Sequence, residues 1–368
     1  MVSTSTTPAR TGSGTALLVV LMAAVLVTVT ASDMVNLMLP AIGAEFGVSA
    51  AQLAWVVTGF LLVFSVGIPL YGRISDRLSL RGLFAFALLA YAAGNLVCAL
   101  SVDLLVLVVG RVVTGVGAAA IPVLSVIAVT RSMPTDKRAM AIGVLSAGAG
   151  IGAAAGPAVG GGLGQVLGWR ALFWVMLVAA LVLLPLTLRV LPRLPRVGGG
   201  RLDLPGGLLL GLGAGLLLFG MTRAQVSGFA APLSWGSLAV AVVILVLFGW
   251  RTVHVEQPFV PPVLFANRTY RAAVLILFLA MVVNLGGLVF VPLLVIEVNG
   301  LTPGAGTLVM IPAGISVAAL SPLIGRLCAR IGTRPVVLIG LVLMALFCLC
   351  LSTPCTPVTK APHIPMPF

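Results

Sequence analysis

The chain has 368 residues, of which 60% are hydrophobic and 8% charged, and its formal net charge is +13. This composition excludes an ordinary soluble domain and is typical of a polytopic membrane protein. Unpaired backbone groups are costly in lipid, and the apolar runs do not alternate as barrel strands do. We therefore predict an all-α transmembrane helix bundle with about eleven spans. The predicted spans are 16–39, 53–71, 82–100, 104–130, 140–164, 170–191, 204–221, 233–252, 272–296, 305–325 and 335–351.

The first predicted span contains an aspartate, Asp33. The span is too long for a secretory signal and further spans follow at once, so we expect it to be retained as a helix. A carboxylate in a medium of low dielectric takes up a proton more readily than it does in water. Asp33 is therefore a candidate proton carrier.

The connection after the second span recurs later in the chain. GRISDRLSLR at 72–81 and GRLCARIGTR at 325–334 share a glycine and three arginines at the same offsets. Such repeats are typical of secondary transporters. Ion pairs of Asp76 with nearby arginines would hold one end of the bundle closed; the alternative is a loop that only orients the chain. The gating candidates are Gly72, Arg73, Asp76, Arg77 and Arg81, and in the second copy Gly325, Arg326, Arg330 and Arg334, with Ala329 in place of the aspartate.

An arginine interrupts the fourth span. Arg111 lies seven residues after the start of that span at residue 104. A cation within a span is costly and normally faces a cavity or a partner, although snorkelling to the interface is the alternative. Arg111 is therefore expected to face a cavity or a partner within the bundle.

The fifth span is rich in glycine. Small residues recur at every fourth position, which lets helices approach closely in lipid, and a proline removes one backbone donor and favours a bend. We expect a moving interface here, with a static packing helix as the alternative. The candidate residues are Gly148, Gly152, Gly156, Pro157, Gly160 and Gly161.

The positive charge follows the predicted topology. If the N-terminus is cytoplasmic, seventeen of the 21 Lys and Arg residues fall on the cytoplasmic side, as the positive-inside rule requires. We therefore predict a multi-pass protein of the cell membrane with a cytoplasmic N-terminus and no nucleic-acid partner.

Several segments together resemble the major facilitator superfamily. The segments are GRISDRLSLRG after the second span, LVVGRVVTGVGAAA at 107–120, GIGAAAGPAVGG at 150–161 and the GWRALFW that follows. The second copy of the repeated loop follows the tenth span rather than the eighth, so two extra spans stand between the halves. With EQPFVPPVLFANRTYRAA at 256–273, this makes the chain similar to the 14-helix branch of drug:proton antiporters.

The resemblance implies proton-coupled efflux of amphipathic or cationic small molecules across the inner membrane by alternating access. It assigns proton relay to Arg111, and it marks the fifth helix as that of an exporter. The chain departs from the branch at its first helix, where Ala31 occupies the usual position of the acid and Asp33 lies two residues later. Two residues turn a helix by about 200°, which puts the role of Asp33 in doubt.

We expect six regions along the chain. The resemblance implies 14 helices, of which about eleven are present, and the Pro-rich ending suggests a premature stop or shifted frame near residue 350. The regions are a cytoplasmic tail 1–15, a six-helix bundle 16–191, a cytoplasmic linker 192–203, two extra helices 204–253, an incomplete bundle 254–351 and a tail 352–368.

Nothing in the sequence indicates an enzyme. No phosphate-binding GxxxxGK[ST] pattern is present, and the five cysteines lack metal-ligand spacing. We expect no cofactor, no metal and no catalytic residue. The expected partners are a small-molecule substrate, protons and the lipid bilayer, and we expect a monomer. Two alternatives remain open: a proton-coupled transporter of one metabolite, and a truncated inactive or accessory membrane protein.

Overall fold

The computed structural model describes residues 12–194, 203–256, 258–299 and 311–352. These residues form eleven long helices and one short helix, with no strand among them. Each predicted span overlaps one long helix, so the predicted all-α bundle is confirmed. The helices are α1 Gly12–Phe46, α2 Ala50–Ile74, α3 Leu80–Ala99, α4 Leu104–Ser132, α5 Thr135–Leu167, α6 Trp169–Val190, α7 Leu204–Ser227, α8 Pro232–His254, α9 Val263–Ala266, α10 Arg268–Asn299, α11 Ile311–Ile331 and α12 Thr333–Ser352.

Within the described residues, seven helices are long and apolar enough to cross a membrane, namely α1 to α4 and α6 to α8. Large apolar side chains cover their outer surfaces, such as Leu89, Val178 and Val246, each about half exposed or more. Side chains that face the hydrocarbon core of a bilayer are apolar because polar groups there would lack hydrogen-bond partners. The chain is therefore a multi-pass membrane protein.

Polar residues cap the starts of several helices, and the short connections beside them define the two ends of the bundle. Ser49 and Gln52 form a capping box at the start of α2, Ser79 caps α3, and Asp103 caps α4. Residues 75–79 join α2 to α3 at what we term the loop end. Residues 47–49 join α1 to α2 at the opposite end.

Helix α4 lies between α2 and α3 and packs closely on both. A Cβ on Gly94 of α3 would lie 2.3 Å from the backbone nitrogen of Thr114, and one on Gly117 of α4 would lie 2.3 Å from the carbonyl oxygen of Ala87. On the other side, a Cβ on Gly115 would lie 2.9 Å from the carbonyl oxygen of Phe60. Glycine thus permits the close backbone approach on which packing in lipid depends.

Parts of the predicted regions fall outside the described residues. These are 1–11 of the predicted N-terminal tail, 195–202 of the predicted linker, 257 and 300–310 of the predicted incomplete bundle, including the start of the predicted span 305–325, and the predicted tail from 353 onward.

Candidate functional site

The glycines of α5 form a continuous face against α1. A Cβ on Gly148 would lie 2.8 Å from the carbonyl oxygen of Met22, one on Gly152 would lie 2.7 Å from that of Leu26, and one on Gly160 would lie 2.7 Å from that of Met34. Both helices advance by four or eight residues between contacts, so they run parallel in fixed register. Gly156, in the same series, is buried.

A hydrogen bond reinforces this register. Thr30 Oγ1 of α1 donates to the carbonyl oxygen of Gly152 over 3.2 Å, and both residues are buried. A backbone carbonyl in a helix can accept a second bond, so this contact costs no helical bond. The candidate moving interface is thus tightly joined to α1 along one face.

Helix α5 also packs along α11, from the second half of the chain. A Cβ on Gly325 would lie 2.7 Å from the carbonyl oxygen of Ala139 and 3.0 Å from the Cα of Met140. Gly325 is therefore buried where α11 meets α5 at the loop end. Helix α5 lies between α1 on one side and α11 on the other.

Three predicted residues are described only through the backbone. Asp33 lies in α1, next to Met34, which contacts Gly160, and Pro157 and Gly161 lie in α5. The side chains of Asp33 and Pro157 and the surroundings of Gly161 lie outside what the structure describes. Their predicted roles stay predictions.

Arg111 is fully enclosed within the bundle. It is 1% exposed, so it does not snorkel to the interface. Its Nε donates to the carbonyl oxygen of Val56 over 3.3 Å, and its Cζ lies 4.3 Å from the centre of the Phe60 ring. Among the described residues no carboxylate pairs with it. Within the described part of the chain, the guanidinium thus contacts the Val56 carbonyl and the face of the Phe60 ring.

Asp76 in the repeated loop pairs with an arginine of α4. Arg131 donates to Asp76 Oδ1 over 2.6 Å and to the carbonyl oxygen of Ser75 over 3.0 Å. The sequence repeat favours partners from the loop itself, but Arg73 and Arg81 bind elsewhere and Arg77 forms no ion pair among the described residues. Arg131 was missed because its only sequence signal is a basic residue at the end of a span.

The loop arginines bind backbone carbonyls of other elements. Arg73 donates to the carbonyl oxygens of Phe259 over 2.6 Å and Pro258 over 2.9 Å. Arg81 donates to the carbonyl oxygen of Leu188 at the end of α6. Gly72 has open space around it, and the Arg77 side chain has no polar partner among the described residues.

The second copy of the loop differs from the first. Helix α11 continues through it to Ile331, and Gly332 alone, with φ of +85°, makes the turn into α12. The prediction of a loop over 325–334 is therefore wrong for most of its length, because no glycine that could end α11 stands between Gly325 and Gly332. Its arginines, Arg326, Arg330 and Arg334, are exposed.

A polar cluster at the opposite end was missed by sequence reasoning. Glu45 accepts hydrogen bonds from Arg170 over 2.5 Å and from Trp169 Nε1 over 2.7 Å, and Arg170 also donates to the carbonyl oxygen of Ser101 over 2.9 Å. The bond from Arg170, and then that from Trp169, holds the pKa of Glu45 below its usual range. The cluster joins the ends of α1, α3 and α6.

A cavity of about 780 Å³ opens beside this cluster. Carboxylates and aromatic side chains line it together, including Glu45, Phe46, Trp55 and Asp103, with Val108 of α4 below them. Val108 precedes Arg111 by about one helical turn. Such a lining suits a molecule that combines apolar surface with positive charge.

The chain matches the family model of the Major Facilitator Superfamily over residues 21–366. It is 31% identical over 313 residues to the multidrug resistance protein Stp of Mycobacterium tuberculosis. The aligned region covers 85% of this chain and 58% of Stp. It is 32% identical over 354 residues to the puromycin resistance protein pur8 of Streptomyces alboniger, covering 94% of this chain and 70% of pur8. The chain thus spans less than two thirds of the length of Stp.

A solved structure shares the fold. The proton:xylose symporter XylE aligns with a TM-score of 0.59 at 14% identity, covering 87% of this chain and 70% of XylE. A likeness at this identity concerns the fold alone. Since the family model extends over most of the chain and the helices pack as a multi-pass bundle, the chain belongs to the Major Facilitator Superfamily, a family of membrane transporters.

Proposed function

We propose that the chain exports amphipathic or cationic small molecules in exchange for protons, by alternating access. The loop end lies in the cytoplasm in this proposal, together with the N-terminus, because the basic residues concentrate there. The relatives named for multidrug and puromycin resistance support efflux rather than uptake.

The observation that carries the proposal is the burial of Arg111 without a carboxylate partner among the described residues. An enclosed cation held by a carbonyl and an aromatic ring is destabilised unless a negative charge approaches it. Deprotonation of a nearby acid would supply that charge, and protonation would remove it. Arg111 would thus make the energy of each state depend on proton occupancy, and Asp33 is the acid we propose.

The position of α5 supports alternating access. Its glycine face is fixed to α1, while its loop-end half contacts α11 of the second half of the chain. Rocking of one half against the other would slide α5 along α11 and leave the α1 contact intact. The pair of Asp76 with Arg131 would hold the loop end of the first half in one shape during that motion.

The cavity at the opposite end supports the proposed substrate class. Trp55 and Phe46 offer aromatic faces, and Glu45 and Asp103 offer carboxylates. An aromatic face attracts a cation by about 0.5 to 2 kcal/mol. We propose that this cavity lies on the exit path of a lipophilic cation.

Efflux of a fluorescent lipophilic cation from cells expressing the chain tests the proposal. The assay compares wild type with Arg111→Ala and Arg111→Lys, with and without an uncoupler that collapses the proton gradient. Arg189→Ala, which removes an exposed arginine at the end of α6, is the matched control. We expect uncoupler-sensitive efflux that falls about tenfold or more in Arg111→Ala, as loss of about 1.4 kcal/mol of coupling would give, and that is unchanged in Arg189→Ala.

Efflux that persists without a proton gradient would contradict proton coupling. Equal efflux in wild type and Arg111→Ala would remove Arg111 from the mechanism. Absence of efflux for cations of several sizes, with the protein present in the membrane, would contradict the proposed function itself.

A further inference from the structure

A buried ion pair joins the start of α7 to the end of α8. Asp203 caps α7 through Gly206, whose N–H donates to its Oδ1 over 3.0 Å. Arg251 of α8 donates to the same oxygen over 2.9 Å. The Asp203 side chain is 3% exposed, so this pair is shielded from water on the carboxylate side.

The same carboxylate holds the segment that leads out of α8. The N–H of Phe259 donates to Asp203 Oδ2 over 3.2 Å, and a Cβ on Gly207 would lie 2.9 Å from the Phe259 ring. Phe259 is 3% exposed. It is therefore fixed by its backbone and by its side chain against the first turn of α7.

The carbonyl side of this segment binds the repeated loop. Arg73 at the end of α2 donates to the carbonyl oxygens of Phe259 and Pro258. Three residues further on, Asp76 pairs with Arg131 of α4. A continuous series of charged and backbone contacts thus runs from α4 through the loop to α7 and α8.

Helix α7 is also packed on α2 within the membrane. A Cβ on Gly211 would lie 3.7 Å from the Cβ of Val66. A Cβ on Gly215 would lie 3.2 Å from a methyl carbon of Leu62. In contrast, the described contacts of α10, the next long helix, are with α9 and α12. Among the described residues α10 thus makes its main contacts outside the α1–α8 group of helices, whereas α11 packs on α5.

We propose that Asp203, Arg251, Pro258 and Phe259 form a strap that fixes α7 and α8 to the first six helices at the repeated loop. The two extra helices then move as part of that body, and the chain flexes between Phe259 and α10. The proposal rests on the alternating-access function proposed above. It differs from an arrangement in which the extra pair is a loose spacer between two moving halves.

Hydrogen exchange of the purified full chain tests the strap without any assay of transport. The variant is Asp203→Ala, and the matched control is Asp103→Ala, since both residues are aspartate N-caps but Asp103 is exposed and its side chain accepts a hydrogen bond only from Val106 N–H among the described residues. We expect Asp203→Ala to raise exchange about tenfold at 204–210, at 258–267 and also at 72–78, as loss of buried hydrogen bonds would. Asp103→Ala should raise exchange at 104–108 alone.

Unchanged exchange at 72–78 in Asp203→Ala would overturn the strap, because the loop would then not depend on it. If Asp203→Ala does not fold, Arg251→Gln keeps the cap and removes the ion pair. It should raise exchange at the same three segments, and a variant that leaves 72–78 as protected as in wild type would also overturn the strap.

A cross-link tests whether the extra helices move with the first six. Val66→Cys with Gly211→Cys places two Cβ atoms at a separation that matches the mean of about 3.8 Å in disulfides. The native cysteines are replaced by alanine in this background. We expect complete oxidation to leave cation efflux within about twofold of the reduced form, because no motion occurs between α2 and α7.

Efflux that is abolished by oxidation and restored by a reductant would overturn the proposal. If the wild-type protein exports no cation, the proposed function fails, and hydrogen exchange alone then decides the strap.

Discussion

Two aspartates that cap helices contribute differently to stability because their surroundings differ. The side chain of Asp103 accepts one hydrogen bond, from a backbone N–H at an exposed site, whereas the side chain of Asp203 accepts bonds from Gly206, Arg251 and Phe259. Burial raises the pKa of Asp203, but these three bonds outweigh burial and hold its pKa below the usual range. Removal of Asp203 leaves Arg251 without its partner, while removal of Asp103 leaves only a backbone N–H.

The first prediction compares the stability of these two variants. Asp103→Ala should cost about 1 kcal/mol, as loss of an N-cap does. Asp203→Ala should cost about 3 kcal/mol, because it breaks a largely buried ion pair. Thermal unfolding of the detergent-solubilised proteins measures both, and equal losses would contradict the stated role of Asp203.

The second prediction concerns the pH dependence of the Glu45 and Arg170 pair. Glu45 lies beyond the apolar span Gly14–Ser32, and its pKa is held below the ordinary value of 4.5. Because the folded pKa is lowered, the pair stabilises the protein above pH 4.5, and this contribution is lost as the pH falls through the lower folded value. The effect is small because both side chains are more than a third exposed.

Melting temperatures measured between about pH 5.5 and about pH 3.5 check this sign. Glu45→Gln should lower the melting temperature at the upper pH by no more than about 2 °C. The difference from wild type should shrink toward zero as the pH decreases. A difference that grows at low pH would show that the direction is wrong.

At the scale of elements, the contact between α1 and α5 depends on the absence of side chains. At Gly148, Gly152 and Gly160, the two backbones are so close that an added Cβ would lie 2.7 to 2.8 Å from a carbonyl oxygen of α1. Backbone cannot give way as a flexible side chain can, so these contacts are rigid. Gly162, two residues beyond this series and on another side of the helix, has nothing within 4 Å of its Cβ position.

The third prediction uses these two kinds of glycine as a matched pair. Gly152→Ala places a methyl group 2.7 Å from the Leu26 carbonyl oxygen and should destabilise the folded protein by about 1 to 3 kcal/mol. Gly162→Ala meets open space and should be neutral or stabilising by up to about 1 kcal/mol. Thermal unfolding in detergent distinguishes them, and equal effects would contradict the packing described for α5.

At the scale of the whole molecule, hydropathy predicted the helices but not their long-range partners. The eleven spans follow from apolar runs bounded by residues such as Ser49, Ser79 and Gly168, and those signals are local. The partners of Asp76 and Glu45 lie 55 and 125 residues away along the chain. No local pattern encodes such pairs, because they depend on how the helices pack.

Arg111 likewise combines a feature that the sequence predicts with contacts that only the structure reveals. Its place within a span was evident from the sequence, and the structure adds that it faces Phe60 and Val56 of α2. The contact between Asp203 and Phe259 was not predicted, because Asp203 ends the predicted linker 192–203 and the motif at 256–273 indicated a family resemblance but no partner for Phe259. The sequence predicts which segments span the membrane, because lipid selects long apolar runs. It does not predict which distant helices contact each other.

The roles proposed for Arg111 and α5 both require that a proton gradient drives movement of a lipophilic cation through this chain. Purified protein in liposomes, with an imposed pH gradient and the membrane potential clamped at zero, tests that requirement without other cell components. We predict accumulation of a fluorescent lipophilic cation on the side of higher proton concentration, with protons moving the opposite way, and loss of both fluxes in Arg111→Ala. Cation movement that ignores the pH gradient, or that is equal in liposomes without protein, would contradict proton-coupled export.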